Sequence, residues 1–332
     1  MTRLRPFAVL IAALLLFTRS APAADDSYPT RPIHLILGFA AGSSGDVAAR
    51  IVSNKLAELL KQTVIVENRP GASSMVATDY VARSPKDGYT LLFATIAVTI
   101  NATLMPGKGP NIERDMVPIV LVGSIPNILV VHPSLNVKDV KELIVLAKQK
   151  PNELLYGASG LGSGPHLAAE LFKQMAGVKM TGVLYPGSGQ TVTDLISGRI
   201  QVMFSPASTV LGFIKDGRVK ALATSEAERS RVAPDLPTVA EAALPGYATG
   251  VWFGILAPAG TPAAAIEKIS GATNTALKDP EVFKQLERQG LNALGGSPDD
   301  FARFIKSETL RWANVIRAMD AAKEKKDGGA EP

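Results

Sequence analysis

The chain has 332 residues, of which 35 are Lys or Arg and 30 are Asp or Glu, and its formal net charge is +5. It contains no cysteine, which excludes disulfides, thiolate metal sites and a lipid-modified cysteine. The basic residues are scattered rather than gathered into a stripe, and this argues against nucleic-acid binding.

Residues 1–23 predict a secretory signal peptide. Arg3 and Arg5 give a positive start, residues 7–17 form an unbroken apolar run, and residues 21–23 (Ala-Pro-Ala) suit signal peptidase. The run has 11 residues, whereas a membrane-spanning helix needs roughly 17–25. We therefore expect cleavage and export to a bacterial periplasm, with an uncleaved anchor as the alternative. Cleavage would lower the net charge to +2, because three arginines would be lost.

After this segment, short apolar runs rich in β-formers alternate with helical patterns. The first part predicts a strand at 33–37, a helix at 46–60, a strand at 62–67, a helix at 74–83 and a strand at 90–94. The middle predicts strands at 128–132, 154–157, 182–184, 202–204 and 221–224, with helices at 138–148, 166–175 and 191–196. Strands bracketed by helices predict an α/β chain with βαβ units and parallel sheets buried on both faces.

The C-terminal third is predicted to be mainly helical. Its helices are expected at 262–277, 280–289 and 298–319. The last of these has Ser297 as a plausible N-cap and Pro298 at its first position. Beyond residue 322 the chain is charged and is expected to fray. We find no internal repeat in the sequence.

Two Gly- and Ser-rich loops, residues 38–46 and 159–166, each join a predicted strand to a predicted helix. Such a loop leaves backbone N–H groups free at a helix N-terminus, which creates an anion site without a fixed positive charge. In open α/β sheets, ligands bind beyond the carboxyl ends of the strands. For either loop alone an ordinary capped turn is the preferred interpretation, but two such loops in one exported protein strengthen the case for a ligand site.

Two side chains in these loops have alternative interpretations. Asp46 would repel an anion, so we expect it to cap its own helix and hold the loop. The alternative is that Asp46 receives the ammonium group of an amino-acid-like ligand. His166 is either a capping and packing residue or a ligand contact. His34 and His132 lie in or beside predicted strands, where structural roles are expected.

Several enzyme and cofactor motifs are missing from the sequence. It has no G-x-S-x-G elbow, neither loop is a nucleotide-binding fingerprint, and it has no H-x-x-x-H or cysteine cluster. We therefore expect no catalytic residues, no metal and no cofactor.

Short stretches along the chain together carry a family resemblance. They are YPTRPI (28–33), residues 38–50, VENRPGA (66–72), PKDGYTLL (85–92), residues 159–167, DLISG (194–198), LPTVAE (236–241), WFG (252–254) and APAGTP (257–262). With these stretches the chain resembles the solute receptors of tripartite tricarboxylate transporters, the Bug receptor family, from about Tyr28 to Met319.

The resemblance implies an α/β periplasmic binding protein of type II-like architecture, with a ligand cleft between two lobes. One lobe would contain residues 25–123 and 246–322, and the other residues 124–245. The chain would cross between the lobes near 123–124 and 245–246. A flexible tail is expected at 323–332.

The resemblance also implies a function. The protein would capture a small organic carboxylate and deliver it to the membrane permease subunits of a tripartite transporter, as a monomer without a cofactor. An exported enzyme acting on a carboxylate, and a receptor that feeds a sensor kinase, are the alternatives. The implied ligand contacts are Phe39, Ala40, Ala41, Gly42, Ser43, Ser44, Asp46, Thr95, Ser159, Gly162, Ser163, His166, Tyr185, Gly187 and Ser205.

Three departures from the usual family pattern bear on the ligand. Ala41 stands where the family usually has Pro, which frees a backbone N–H, and Ser43 stands where it usually has Gly, which adds a hydroxyl. Pro186 stands where a Lys is usual, so a positive charge is missing and a highly charged ligand such as citrate is disfavoured. Aliphatic dicarboxylates, aromatic acids and amino acids all fit this scaffold.

Overall fold

A computed structural model describes residues 28–39, 41–158, 160, 163–185 and 187–327. The predicted signal peptide, the loop residues Ala40, Ser159 and Gly162, and the last five residues of the predicted tail lie outside these ranges. Within the described ranges, no helix combines the length and the apolar character needed to cross a membrane.

The described residues form ten strands and twelve α-helices. The strands are β1 (Ile33–Leu37), β2 (Val64–Asn68), β3 (Thr90–Thr95), β4 (Met116–Val131), β5 (Leu155–Ala158), β6 (Thr181–Leu184), β7 (Val202–Pro206), β8 (Lys220–Thr224), β9 (Gly250–Pro258) and β10 (Asn292–Ala293). The helices are α1 (Ser44–Leu60), α2 (Met75–Ala82), α3 (Ala97–Leu104), α4 (Ile112–Asp115), α5 (Val140–Gln149), α6 (Gly164–Ala176), α7 (Ser188–Ile196), α8 (Ala207–Lys215), α9 (Val239–Ala242), α10 (Ala263–Lys278), α11 (Pro280–Arg288) and α12 (Pro298–Asp327).

One arrangement of strands occurs twice along the chain. β2-β1-β3 are parallel with β1 in the centre, and β6-β5-β7 are parallel with β5 in the centre. Both units run strand, helix, strand, helix, strand. The structure therefore contains a repeated α/β unit, although the sequence shows no repeat.

Two antiparallel strands, β4 and β9, join these units in the order β2-β1-β3-β9-β4-β7-β5-β6. β9 pairs with β3 and with β4 from Met116 to Pro126. From Asn127 onwards, β4 pairs with β7 and β8 instead. β4 thus passes from the first unit to the second between Pro126 and Asn127.

The alternation of side chains along β1 explains how helices cover both faces of the sheet. Leu35 belongs to a buried cluster with Ala48 of α1, whereas Ile36 belongs to another cluster with Ala77 of α2. A strand buried on both faces needs apolar residues at nearly every position. This requirement explains the continuous apolar run that identifies β1 in the sequence.

Three of the predicted features need correction. The sheet is mixed rather than parallel, because β4 and β9 run antiparallel to their neighbours. β9 itself, together with α3 and α8, is absent from the predicted elements. α12 continues to Asp327 rather than ending near Met319, because the Ala-, Lys- and Glu-rich sequence after Met319 consists of strong helix formers.

Candidate functional site

The first loop is shaped by the cap of α1. Ser43 is the N-cap, and its Oγ accepts a hydrogen bond from the N–H of Asp46 at 3.3 Å. Asp46 reaches back, and its Oδ2 accepts from the N–H of Gly42 at 2.9 Å. Gly42 has a φ of +80°, a conformation in which glycine avoids a steric penalty. The two reciprocal bonds resemble a capping box and fix the loop at its junction with the helix.

Asp46 is held by structural partners. Arg50 Nε lies 3.1 Å from both carboxylate oxygens, and Asn68 Nδ2 donates to Oδ1 at 2.9 Å. Burial raises the pKa of Asp46, but hydrogen bonds from Arg50, Gly42 and Asn68 outweigh it and lower the pKa to about 2. The expected loop-holding role of Asp46 agrees with this geometry, although Ser43 is the N-cap.

The second loop ends in the same kind of cap. Ser163 is the N-cap of α6, and its Oγ accepts from the N–H of His166 at 3.3 Å. His166 occupies the helical position that Asp46 occupies in α1, and it is buried. Burial is the main cause that lowers the pKa of His166, with Lys173 adding to the effect and Glu170 opposing it. The start of α6 therefore carries an imidazole with a lowered pKa where α1 carries a carboxylate.

Both loops lie at the carboxyl ends of the central strands of the two units. Successive helices in each unit pack on opposite faces of the sheet, and in such folds ligands bind at the loops beyond the strand ends. Thr95 ends β3, and its Oγ1 accepts from the N–H of Ala97 at 3.1 Å. Ser205 lies near the end of β7 and is fully buried. Thr95 and Ser205 thus lie at equivalent strand ends in the two units, and both are buried.

β9 brings the two helix starts together. A methyl group built on Gly45, in the first turn of α1, would lie 3.0 Å from the Phe253 ring. One built on Gly164, at the start of α6, would lie 3.1 Å from the Val251 side chain. Val251 and Phe253 are two residues apart on one face of β9, which separates them by roughly 7 Å. The N-termini of α1 and α6 therefore meet on one face of the same strand.

The exposed part of the first loop can present donors to a ligand. Ala41, Gly42 and Ser44 are exposed, and Phe39 is half-buried with its carbonyl fixed by Asn68 Nδ2 at 3.0 Å. The first N–H groups of a helix lack partners within the helix. They favour an anion both as hydrogen-bond donors and through the positive end of the helix dipole.

The loop between β6 and α7, which contains Tyr185 and Gly187, contributes less polar surface than the first loop. The Tyr185 hydroxyl donates to Asp194 Oδ2 at 2.9 Å, and burial together with this bond raises the pKa of Tyr185 to about 12. Gly187 precedes α7 in an extended conformation without a side-chain cap. Tyr185 is thus engaged with α7, while Gly187 offers only its backbone. In the described part of the chain, no group of three or more His, Asp or Glu side chains could hold a metal ion.

The sequence does not predict the role of the two residues that bring the loops together. Val251 and Phe253 lie in β9, far from either loop along the chain. The local signals there are the apolar run of β9, which indicates a buried strand, and the WFG stretch at 252–254, which contributes to the family resemblance without assigning a site. Their importance follows from strand order, which places β9 between β3 and β4.

Comparison with known proteins identifies this arrangement. The sequence pattern of the tripartite tricarboxylate transporter family receptor matches residues 48–321. The chain is 36% identical to protein BugT of Bordetella pertussis over 304 residues, which cover 91% of this chain and 93% of BugT. The chain belongs to this receptor family. It is thus a solute-binding receptor of the Bug type.

Solved structures of similar proteins have the same architecture. R. palustris Rpa4515 with adipate is 36% identical, has a TM-score of 0.74, and matches over 87% of this chain and 97% of its own. MatC from Rhodopseudomonas palustris with bound malate is 28% identical, has a TM-score of 0.72, and matches over 87% of this chain and 100% of its own. The receptor has the two-lobed periplasmic binding protein fold, with mixed α/β structure.

Proposed function

We propose that this receptor captures a small organic carboxylate in the cleft between its lobes and delivers it to the membrane permease of a tripartite tricarboxylate transporter. The observation that carries the proposal is the meeting of two capped helix N-termini on one face of β9, through Phe253 and Val251. Two positive helix ends at one place suit an anion. Adipate and malate, bound by similar receptors, are both carboxylates.

In this proposal, recognition rests on backbone dipoles and hydroxyls. Arg50, the cation nearest to the first loop in sequence, already bonds Asp46 and Asn68. The ligand would take hydrogen bonds from N–H groups at the starts of α1 and α6 and from the hydroxyls of Ser43 and Ser163. With Arg50 already paired, the first loop suits a modest ligand charge better than the triple charge of citrate.

The lobes would be those expected from the sequence, residues 25–123 with 246–322 and residues 124–245. The crossings support a division near these bounds. β4 changes partners after Pro126, and the chain returns where the Thr249 N–H donates to the Ser225 carbonyl at 2.7 Å. Closure of the lobes over the ligand would bring the two loops onto it from opposite sides.

The biological setting belongs to the same proposal. A cleaved signal peptide at 1–23 would place the receptor in the periplasm, where it acts as a monomer and hands ligand to the permease. It would use no cofactor and catalyse no reaction. N-terminal sequencing of the exported protein should give a start near Ala24, and an intact Met1 on membrane-bound protein would contradict cleavage.

A thermal-shift screen of organic acids tests the proposed ligand class. Ligand that binds only the native state raises stability by RT ln(1 + [L]/Kd). The screen should contain aliphatic mono-, di- and tricarboxylates, aromatic acids, amino acids and neutral sugars as controls. We expect shifts from at least one small carboxylate. Calorimetry should then show weaker binding by Ser163→Ala, by roughly 0.5–3 kcal/mol. Shifts from sugars alone would contradict the proposal.

A further inference from the structure

Asn127 occupies the position at which β4 changes partners. Its N–H donates to Ser225 Oγ at 3.0 Å, and its carbonyl accepts from the Ser225 N–H at 2.8 Å. Ser225 is in turn bonded to Thr249, the residue before β9, by bonds of 2.7 and 2.6 Å. Both crossings between the units therefore meet at Asn127, and its backbone is firmly placed.

The strand register puts the Asn127 side chain on the face that bears both helix starts. Ile125 lies directly opposite Val251, so the two side chains share a face. Asn127 is two residues further along β4 and points to the same side. That face carries Val251 and Phe253, against which α6 and α1 begin. Leu129, the next residue in the alternation, belongs to the buried cluster that includes side chains of α6.

The Asn127 side chain is fully buried, and neither Oδ1 nor Nδ2 has a hydrogen-bond partner among the described residues. Buried side-chain amides are almost always bonded, because an unbonded polar end loses its hydration without compensation. An amide left unbonded at both ends, on the strand face that bears both helix N-termini and next beyond the start of α6, indicates a partner supplied by the ligand.

We propose that the Asn127 amide hydrogen-bonds the ligand at the floor of the cleft and selects 2-hydroxycarboxylates over the corresponding unsubstituted acids. This inference rests on the proposed function. A side-chain amide has a donor end and an acceptor end. A carboxylate can accept from Nδ2, but only a group with a proton to donate can bond Oδ1. A 2-hydroxy acid therefore satisfies both ends of the amide, whereas an unsubstituted acid leaves Oδ1 unbonded.

The surroundings favour a hydroxyl over an ammonium group as that donor. The N-termini of α1 and α6 carry positive partial charge, which repels a cation. The carboxylate of Asp46, at the start of α1, is already bonded to Arg50 and Asn68. Sites that bond a substrate hydroxyl discriminate strongly against the analogue that lacks it, because their polar group is then left unpaired.

Thr224 provides a matched control on the same strand pair. Thr224 lies opposite Ile128 of β4, so its side chain points to the face away from Asn127. It is also fully buried, and its Oγ1 has no hydrogen-bond partner in the described part of the chain. Thr224→Val therefore removes a buried unbonded polar group without touching the face that bears the helix starts.

The test compares acids that differ by one hydroxyl. Calorimetry of wild type, Asn127→Leu, Asn127→Ala and Thr224→Val would use malate with succinate, and 2-hydroxyadipate with adipate. For whichever of the two pairs binds more tightly, wild type and Thr224→Val should bind the hydroxy acid with an affinity about tenfold or more above that of the unsubstituted acid. Both Asn127 variants should bring that ratio close to one. Asn127→Ala keeps the test valid if leucine does not fit the site.

Two contrary results have different meanings. If wild type binds both members of each pair equally, or if both Asn127 variants keep the wild-type ratio, Asn127 does not read the hydroxyl and the inference is wrong. The carboxylate receptor would then stand. If wild type binds none of these acids and none in the wider screen, the proposed function fails, and the inference fails with it.

Discussion

Asp46 shows how a residue that looks unsuited to an anion site can build one. Its carboxylate is 5% exposed and lies at the start of α1, yet its charge is offset by Arg50 at 3.0 Å. The bond from Gly42 N–H to Oδ2 shapes the loop, in which Ala41, Gly42 and Ser44 are exposed. The carboxylate thus organises the donors that would bind a ligand. It also interacts favourably with the positive end of the α1 dipole, so part of that dipole's attraction for negative charge is already satisfied by Asp46.

Replacing Asp46 should reveal this role as a stability that depends on pH. The folded pKa of Asp46 is about 2, below the unfolded value of about 3.9. The stabilisation is therefore present above pH 4 and is lost as the pH falls towards 2. Asp46→Asn should lower the free energy of unfolding by about 2 kcal/mol at pH 6 and by much less at pH 2.5. Urea denaturation at both pH values measures the difference.

Asp87→Asn is the matched control for this experiment. Asp87 pairs with Arg31 at 2.7 Å, but both side chains are well exposed, so the change should cost no more than about 1 kcal/mol. A loss of stability in Asp46→Asn that is the same at pH 6 and pH 2.5 would contradict an ionised, loop-holding carboxylate.

At the scale of elements, local patterns predict the strands and helices of both parallel units. The apolar run at 33–37 predicts β1, and the spacing of Val47, Ile51 and Leu56 predicts the helix after it, although the structure buries Leu56 and leaves Val47 and Ile51 half-buried. Thr95 and Ser205 were expected near the ligand, and the structure places them at equivalent strand ends. That placement depends on strand order, which no local pattern contains.

Other elements depend on contacts between distant parts of the chain. β9 pairs with β3 and β4, which precede it by more than a hundred residues. Its apolar sequence fits a strand or a buried helix, and only those pairings decide between them. Asn127 likewise gives no signal in sequence, because its importance comes from a register shared with Val251 and from the change of strand partners beside it.

The close packing of α6 on β9 gives a prediction for that helix. A methyl group on Gly164 would lie 3.1 Å from Val251, so Gly164→Ala should push the start of α6 away from the strand. Overpacking of this kind costs typically 1–3 kcal/mol, and here we expect most of the effect in ligand affinity. Calorimetry with a carboxylate from the screen should show a several-fold weaker Kd.

Gly271→Ala is the control for that change. Gly271 lies inside α10, and an added methyl group would meet nothing within 4 Å. Alanine favours the helix over glycine by roughly 1 kcal/mol, so this variant should be slightly more stable and bind normally. Unchanged affinity in Gly164→Ala would show that the start of α6 does not need its present position on β9.

At the scale of the whole molecule, the face of β9 opposite the helix starts contains a second polar cluster. Glu226, which follows β8, accepts hydrogen bonds from Ser124 Oγ of β4 and, at 2.7 Å, from Asn292 Nδ2 of β10. A cavity of about 170 Å³ separates it from Glu308 and Arg311 of α12. The cluster therefore ties β4 and β10 to the segment that follows β8.

This cluster should make stability fall as the pH rises. Burial raises the pKa of Glu226 against the opposing hydrogen bonds of Ser124, Asn292 and Ser230. The folded protein therefore holds the proton at a pH where the unfolded chain, with a glutamate pKa of about 4.3, has lost it. The resulting stability is complete below pH 4 and is lost as the pH rises through the folded pKa.

Glu226→Gln should remove this part of the pH dependence. A glutamine can accept from Asn292 and donate to Ser124, so both bonds survive without ionisation. Urea denaturation between pH 4.5 and 8 should show a flatter profile and equal or greater stability at pH 8. The exposed Glu113→Gln is the control. A profile identical to wild type would show that Glu226 titrates normally in the folded protein.

Lobe closure can be measured directly because the chain has no cysteine. Asn54 of α1 and Gln174 of α6 are exposed, so Asn54→Cys with Gln174→Cys accepts a pair of spin labels, one on each proposed lobe. If the ligand bridges the starts of α1 and α6, it stabilises the closed arrangement through contacts that the open one lacks. The distance between the labels should then shorten and its distribution narrow at saturating carboxylate.

A control pair within one proposed lobe is Asn54→Cys with Lys268→Cys, exposed on α1 and on the adjoining α10. The distance between these two labels should not change. An unchanged distance across the lobes, with calorimetry confirming saturation of the labelled protein, would mean that the ligand binds a cleft that is already closed.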